Sequence, residues 1–304
     1  MTYSTQLYSI LKASGWTQEQ LAHELKVSFP TLNSWVNQHS QPRQGALRAI
    51  QALYFDIVGV DTVDEAELEA AKAVAKKRII TPMAIRDDTT IFNKLTLYLT
   101  YHTNTIEGST MTLSDVEDVI FDHKVLANRT AIEQAEARNH QATLNWLIDG
   151  LARMGSQFTI NEELILGLHL RLMNGIIADA GQYRTHGVRI MGSRVPLANW
   201  HNVASLITSL TSSIELSSND IISDMARIHA EFEQIHPFSD GNGRTGRLLL
   251  LAQALRAGLI PPLVIKERRY AYYKYLEAAQ INNDYRPLEL FIAQSVETSY
   301  RLLS

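Results

Sequence analysis

The chain has 304 residues, 45% hydrophobic and 20% charged, which fits a globular protein large enough for two domains; a net charge of −4 supplies no overall pull toward nucleic acid or anionic membrane. It has no cysteine, which excludes disulfides, thiolate metal sites and a cysteine nucleophile, and is compatible with a reducing compartment. The longest aliphatic run, LLLLAQAL at 248–255, is too short to span a bilayer, and MTYSTQLYSILKASG lacks the basic start of a signal peptide, so a cytoplasmic protein without a membrane partner is expected.

Residues 1–60 differ in texture from the rest and read as a small helical domain. QLYSILKASG predicts a short helix. TQEQLAHEL opens with Thr17 and carries Gln20 three residues later, the spacing of a capping box. After the KV turn, SFPTLNSWVNQ offers Ser28 as N-cap and Pro30 in the first turn, with Phe29, Leu32, Trp35 and Val36 on one face. This pair resembles the helix-turn-helix of small phage-repressor-like domains. The resemblance implies that the second helix enters a DNA major groove with Thr31, Asn33, Ser34, Asn37 and Gln38 exposed. Against it, Lys12, Lys26, Arg43 and Arg48 face Glu19, Glu24 and Asp56, a thin balance for phosphate binding, so a dimerisation or docking module stays open.

DTVDEAELEAAKAVAKK starts acidic and ends basic, as the helix dipole favours, and predicts a connecting helix within a linker at 61–87. From 88 to 304 the pattern is helical: TTIFNKLTLYLTYHTNTIEG, TAIEQAEARNHQATLNWLIDGLARMG, NEELILGLHLRLMNG and the segments after 200 all have wide apolar faces. GQYRTHGVRIMGSRVPLANW at 181–200 is the exception, with alternation and Gly-Ser turn chemistry that predict a short β-hairpin, or otherwise an exposed loop. The fold class expected is all-α with this one hairpin.

The densest chemistry lies in HPFSDGNGRTGR at 236–247, between two helical stretches. Pro237 disfavours the right-handed helical region for the preceding residue, so the first helix should stop at His236 and present it at a helix end, where its imidazole can act as a base near neutrality. Gly241, Gly243 and Gly246 permit unusual backbone and close ligand approach where the next helix exposes unpaired N–H groups, an anion-binding geometry. Arg244 and Arg247 share its first turn and suit phosphate oxygens, while Asp240 offers the hard oxygen that Mg2+ prefers beside phosphates. A transition-metal set of His229, Glu233 and His236 competes, but their spacing and Pro237 argue against it.

This stretch matches at every position the pattern H-P-F-x-D/E-G-N-G-R-x-x-R and so resembles the signature of the Fic family, over about residues 88–300. The resemblance implies a Fic-type helical core and a protein adenylyltransferase that moves AMP from ATP, with Mg2+, to a Ser, Thr or Tyr hydroxyl of a target protein. It assigns His236 as base, Asp240 as metal ligand, and Gly241, Asn242, Gly243, Arg244 and Arg247 as phosphate contacts. Tyr272, Tyr273 and Gln280 become candidate adenine contacts, although inward tyrosines are often plain core. TNTIEG at 103–108 resembles the inhibitory pattern S/T-x-x-x-E-G/N of some members, on a helix near 91–107. Glu107 would then pair with Arg247 against the γ-phosphate and could also orient water for AMP removal; the plain alternative is a helix end capped by Gly108. The hairpin would be the flap on which a target docks as an added strand, and a homodimer is a further implication. The competing reading is a DNA-binding transcriptional regulator whose Fic region serves as a nucleotide sensor or interaction module.

Overall fold

The computed structural model describes residues 2–59, 63–190, 192–216, 218 and 220–304. By its contacts the chain resolves into two units, Met1–Thr62 with Glu267–Tyr275, and Val63–Lys266 with Leu276–Ser304.

The smaller unit contains α1 (Tyr3–Ser14), α2 (Gln18–Glu24), α3 (Phe29–Val36) and α4 (Gln44–Ile57). Helices need side chains to satisfy their first N–H groups, and here the expected residues do so. Thr17 accepts from Gln20 N while Gln20 Oε1 accepts from Thr17 N, at 3.2 and 2.8 Å, and Ser28 caps α3. Leu7, Ile10, Leu21, Leu32, Trp35, Val36 and Ile50 form the core. Phe29 departs from expectation: it is 45% exposed, so the buried stripe of α3 begins only at Leu32. Arg268 donates to the Asp56 carbonyl at 3.2 Å, tying the second chain segment of this unit to α4.

In the larger unit the chain continues through α5 (Glu65–Ala75), α6 (Pro82–Asp87), α7 (Thr89–Ile106), α8 (Leu113–Ile120), α9 (Ala131–Met154), α10 (Glu162–Met173), α11 (Val203–Glu215), α12 (Ile221–Ile235), α13 (Asn242–Arg256), the last residues of α14 (Arg269–Asn282), and α15 (Arg286–Leu303). Asp64 caps α5, the helix expected as a connector; Asp61 and Thr62 at the start of that stretch lie outside the described residues. α5 packs along α15, and its buried Lys72 ammonium pairs with Asp220 at 3.0 Å and with Glu289.

α13 is buried on nearly all sides, its leucine-rich middle in the core and its polar first turns, with Asn242, Arg244 and Thr245, also buried. It packs on α12, α10 and α9, and Leu144, Leu168, Ile207, Ile228, Phe232 and Leu249 belong to the surrounding core. The HPFSDGNGRTGR turn therefore opens onto the N-terminus of a central helix. No helix among the described residues is long and apolar enough to cross a membrane.

The all-α architecture is as expected, but the hairpin is not formed. Among the described residues the strand-type pairing is an isolated antiparallel bridge between Ile79 and Leu259, and residues 181–200 contain no strand; Met191 of that stretch lies outside the described residues. A turn closes at Ser193 N to Ile190 O, 3.2 Å, but the flanking groups bond elsewhere: Arg184 N to Pro237 O at 2.9 Å and Ala198 N to Gln234 O at 3.2 Å. The α12 end takes the bonds that a ladder would have used.

Ile207 is fully buried in this core. Ile207→Ala is expected to cost about 2–5 kcal/mol of unfolding free energy, read from the shift of a denaturant midpoint at unchanged slope.

Candidate active site

α12 ends at Ile235, and His236 takes the left-handed conformation, φ 49° and ψ 62°, with its N–H bonded to Phe232 O. Pro237 thus stops the helix as the sequence reading required, through the left-handed region. The turn that follows is held by Asn242. Its Oδ1 accepts from Phe238 N at 2.9 Å and its Nδ2 donates to Phe238 O at 2.8 Å. Both ends of this buried amide are committed to the loop, a role the sequence reading did not assign it.

The three glycines serve two different needs. Gly241 has φ 76° and forms the N-cap of α13, so it uses the conformational freedom of glycine. Gly243 and Gly246 are helical, and what they provide is space: a Cβ at Gly246 would stand 2.5 Å from Glu233 Oε1, and one at Gly243 would collide with Glu107 Oε1. Close approach, not unusual backbone, explains these two.

Arg184 was not singled out from the sequence, yet it fixes the catalytic histidine candidate. Buried, it donates from Nε to His236 O at 2.7 Å, from Nη1 to His186 O at 2.7 Å, and from Nη2 to Ala198 O at 2.6 Å and Ile235 O at 3.4 Å. A cation at a helix C-terminus also complements its dipole. His236 Nδ1 lies 3.2 Å from Glu233 O. A carbonyl can only accept, so Nδ1 carries the proton and Nε2 keeps its lone pair, the tautomer a base requires. Burial lowers the His236 pKa, partly offset by its bond to the Glu233 carbonyl, so the ring is neutral at neutral pH.

His169 of α10 braces the opposite side of the turn. Its ring stacks on Phe238 with centroids 3.6 Å apart. Nδ1 accepts from Gly181 N at 2.9 Å, which places the proton on Nε2 for donation to Asp240 O at 3.0 Å. Burial pushes its pKa down to about 4, consistent with this neutral form.

Both arginines are engaged. Arg244 Nη1 donates to Glu136 of α9 at 2.5 Å, and its Nη2 lies 3.5 Å from Asp240 Oδ1. Arg247 meets the end of α7: Nε donates to Thr103 Oγ1 at 2.7 Å, and Nη2 to Thr103 O at 3.3 Å and Glu107 Oε1 at 2.5 Å. Thr103 and Glu107 are one helical turn apart, so the first and fifth positions of TNTIEG grip one guanidinium. Gly108 and Ser109 close α7 with N–H bonds to Thr105 O and Asn104 O, so the cap alternative is also realised, together with the ion pair.

Asp240 is exposed, with Oδ1 accepting from Gly241 N at 2.6 Å. A single exposed carboxylate at a helix N-terminus, beside Arg244, fits Mg2+ that completes its shell with phosphate oxygens and water. It does not fit a closed protein cage, and the described residues contain no group of three or more His, Cys, Asp or Glu able to hold a metal. The His229, Glu233, His236 alternative has no support in this geometry.

Gln280 donates to the Ala230 carbonyl of α12 at 2.9 Å. Tyr272 and Tyr273 belong to the smaller unit, Tyr272 buried and Tyr273 exposed. There too, Asn37 is exposed and donates to Asn33 O and Oδ1 at 2.9 Å, Ser34 and Ser40 hydroxyls are 2.7 Å apart, and Thr31, Asn33 and Ser34 are half-buried.

The comparisons agree with this organisation. The Fic/DOC family model matches residues 159–254, and a helix-turn-helix model matches residues 7–55. The chain carries a Fic domain behind an N-terminal helix-turn-helix domain. Among its curated relatives is the protein adenylyltransferase Fic of Nematostella vectensis, 30% identical over 201 residues, 65% of this chain and 46% of that protein. Another, from Aedes aegypti, is 29% identical over 206 residues, 66% and 40%. The chain thus spans less than half the length of these relatives. A Fic family protein from Desulfovibrio desulfuricans G20 superposes with TM-score 0.64 at 27% identity, over 79% of this chain and 74% of that one. Fic-1 (aa134–508) from C. elegans shares the fold, TM-score 0.65 at 23% identity over 93% and 84%.

Arg184→Leu leaves the Ile235 and His236 carbonyls at the end of α12, and those of His186 and Ala198, without this donor, at a cost of about 3 kcal/mol. The expected readouts are a lower denaturant midpoint and, because His236 O loses its anchor, a changed His236 signal in NMR titration.

Proposed function

We propose that this chain is a protein adenylyltransferase restrained by Glu107. The observation that carries the proposal is the junction of α12 and α13, where a neutral, correctly protonated His236, an exposed Asp240 and two arginines meet at a helix N-terminus, with a carboxylate from α7 on the second arginine. The names of the curated relatives support the same reading.

On this reading the target hydroxyl attacks the α-phosphorus of ATP, the bond to the β-phosphate breaks, and pyrophosphate leaves. His236 Nε2 takes the hydroxyl proton as the new bond forms. The N–H groups at the start of α13 and Arg244 offset negative charge on the phosphates, and Arg247 is the ligand of the γ-phosphate once Glu107 withdraws. Asp240 would hold Mg2+, which neutralises phosphate charge when bound. In a separate hydrolysis Glu107 can orient a water that attacks the α-phosphorus of the modified target; the bond to the target oxygen breaks, His236 returns the proton to that oxygen, and AMP leaves.

The helix-turn-helix match supports a second, compatible role for the smaller unit, DNA contact through the α3 surface bearing Asn33 and Asn37. Its expected signature is affinity that falls steeply with salt.

Wild type, Glu107→Gly and Glu107→Gly/His236→Ala are to be incubated with Mg-ATP and followed by intact mass. Self-modification by AMP is expected to rise at least tenfold in Glu107→Gly and to be absent from Glu107→Gly/His236→Ala; no gain in Glu107→Gly refutes the restraint. The pH dependence has a fixed sign. A base must be unprotonated, and burial lowers the His236 pKa, so kcat should fall as pH drops through a value below the usual histidine range and stay flat above it.

A further inference from the structure

Gly243 and Gly246 lie on the first turn of α13, three residues apart, and each leaves a space that a carboxyl group enters. Glu107 comes to the first from the end of α7, and Glu233 to the second from the last turn of α12. Two carboxyls from different helices therefore converge on the turn that carries Arg247.

Their settings differ. The Glu107 side chain is 31% exposed and bonded to Arg247. Glu233 is 7% exposed, and its Oε1 has neither solvent nor a hydrogen-bond partner. An ionised oxygen so placed is costly. Burial pushes the Glu233 pKa up to about 8, with Arg247 opposing and Glu107 adding to the rise. The charged and titratable groups around it are Arg247 of α13, Glu107 at the end of α7, His229 and His236 on its own helix, and His140 of α9, which faces Arg247 and Arg244. Burial keeps all three histidines neutral, so of these groups Arg247 is the one that can stabilise a charge on Glu233.

Resting on the reading that Arg247 receives the γ-phosphate, we propose that Glu233 is a positioning residue. It succeeds Glu107 as the carboxylate facing Arg247 when Glu107 withdraws, and gives Arg247 up to the phosphate by taking on a proton. With Glu107 in place, the arginine charge is already matched and Glu233 stays a neutral acid. Withdrawal of Glu107 removes a repelling charge and leaves Arg247 to Glu233, whose O–H proton is released to solvent. Arrival of the γ-phosphate restores negative charge beside Glu233, and one proton returns to its oxygen. Nucleotide binding by the released enzyme is then proton-linked and strengthens as pH falls.

The test uses the full chain as Glu107→Gly and Glu107→Gly/Glu233→Gln, with Mg-ATP binding followed by calorimetry in two buffers of different ionisation enthalpy. Glu107→Gly should take up protons on binding and bind about tenfold more tightly near pH 6.5 than near pH 8. The double variant keeps the neutral shape of the acid and should lose both effects; equal proton uptake and equal pH slopes in the two proteins overturn the proposal. A second measurement needs no nucleotide. In protein labelled with 13C at glutamate Cδ, the Glu233 resonance, identified by its loss in Glu233→Gln, should titrate at least about one pH unit lower in Glu107→Gly than in wild type. An unchanged midpoint also overturns the proposal. If Glu107→Gly binds no Mg-ATP, the hand-over falls together with the phosphate reading it rests on, and the carboxyl titration still decides whether the two glutamates share Arg247.

Discussion

The carbonyl end of α12 points into protein, and the remainder of the site depends on how it is satisfied. A helix leaves its last carbonyls without intrahelical donors, and burying them unpaired would cost several times the net value of a hydrogen bond. Arg184 supplies donors from one planar group to carbonyls of Ile235, His236, His186 and Ala198. The same act orients His236 and ties the His186 and Ala198 carbonyls to the end of α12. Asn242 and His169 complete the turn from within and from α10. These bonds to the backbone of His236, Phe238 and Asp240 fix the turn from inside the protein and hold an exposed aspartate and a neutral imidazole in register.

Control is, on the proposed reading, competition for one cation. The Arg247 side chain is only 8% exposed, so leaving it without an anion is unfavourable. Glu107 and Thr103 meet that need in the resting state, and a triphosphate meets it in the active one. Because the guanidinium is always charged, the competition turns on which anion arrives and not on the protonation of the arginine. The positions of Gly243 and Gly246 follow from this crowding, since any side chain there would occupy the room the carboxyl groups need.

Much of this was legible in the sequence where the cause is local. Pro237 announced the end of α12, Thr17 with Gln20 the start of α2, and the wide apolar faces announced the helices. The Glu107–Arg247 pair was readable only through resemblance, because 140 residues separate its members. Arg184, His169 and Glu136 escaped notice for the same reason: each acts on a partner far along the chain, and nothing in GQYRT, LGLHLR or AIEQAEA marks that partner. Thr103 was visible as a motif position without its function as a second hold on Arg247. The hairpin was misread because alternation reports an extended chain and not its partner: Arg184 N and Ala198 N bond to Pro237 O and Gln234 O instead of across a ladder. Phe29 was misplaced because periodicity predicts a face and not where the core along that face begins.

The clamp on Asn242 has a chemical consequence of another kind. Asn followed by Gly is the pair most prone to deamidate, through attack of the glycine N on the asparagine side-chain carbonyl, and Asn242-Gly243 is such a pair at the centre of the site. In the folded chain both ends of the amide are held by Phe238, and the two residues begin a buried helix, so the side-chain carbonyl is held away from the cyclisation path. The folded turn therefore protects its own covalent identity. Loss of that protection on unfolding would convert the amide to a carboxylate facing the Phe238 carbonyl, so a chain aged while unfolded would be expected not to rebuild the site.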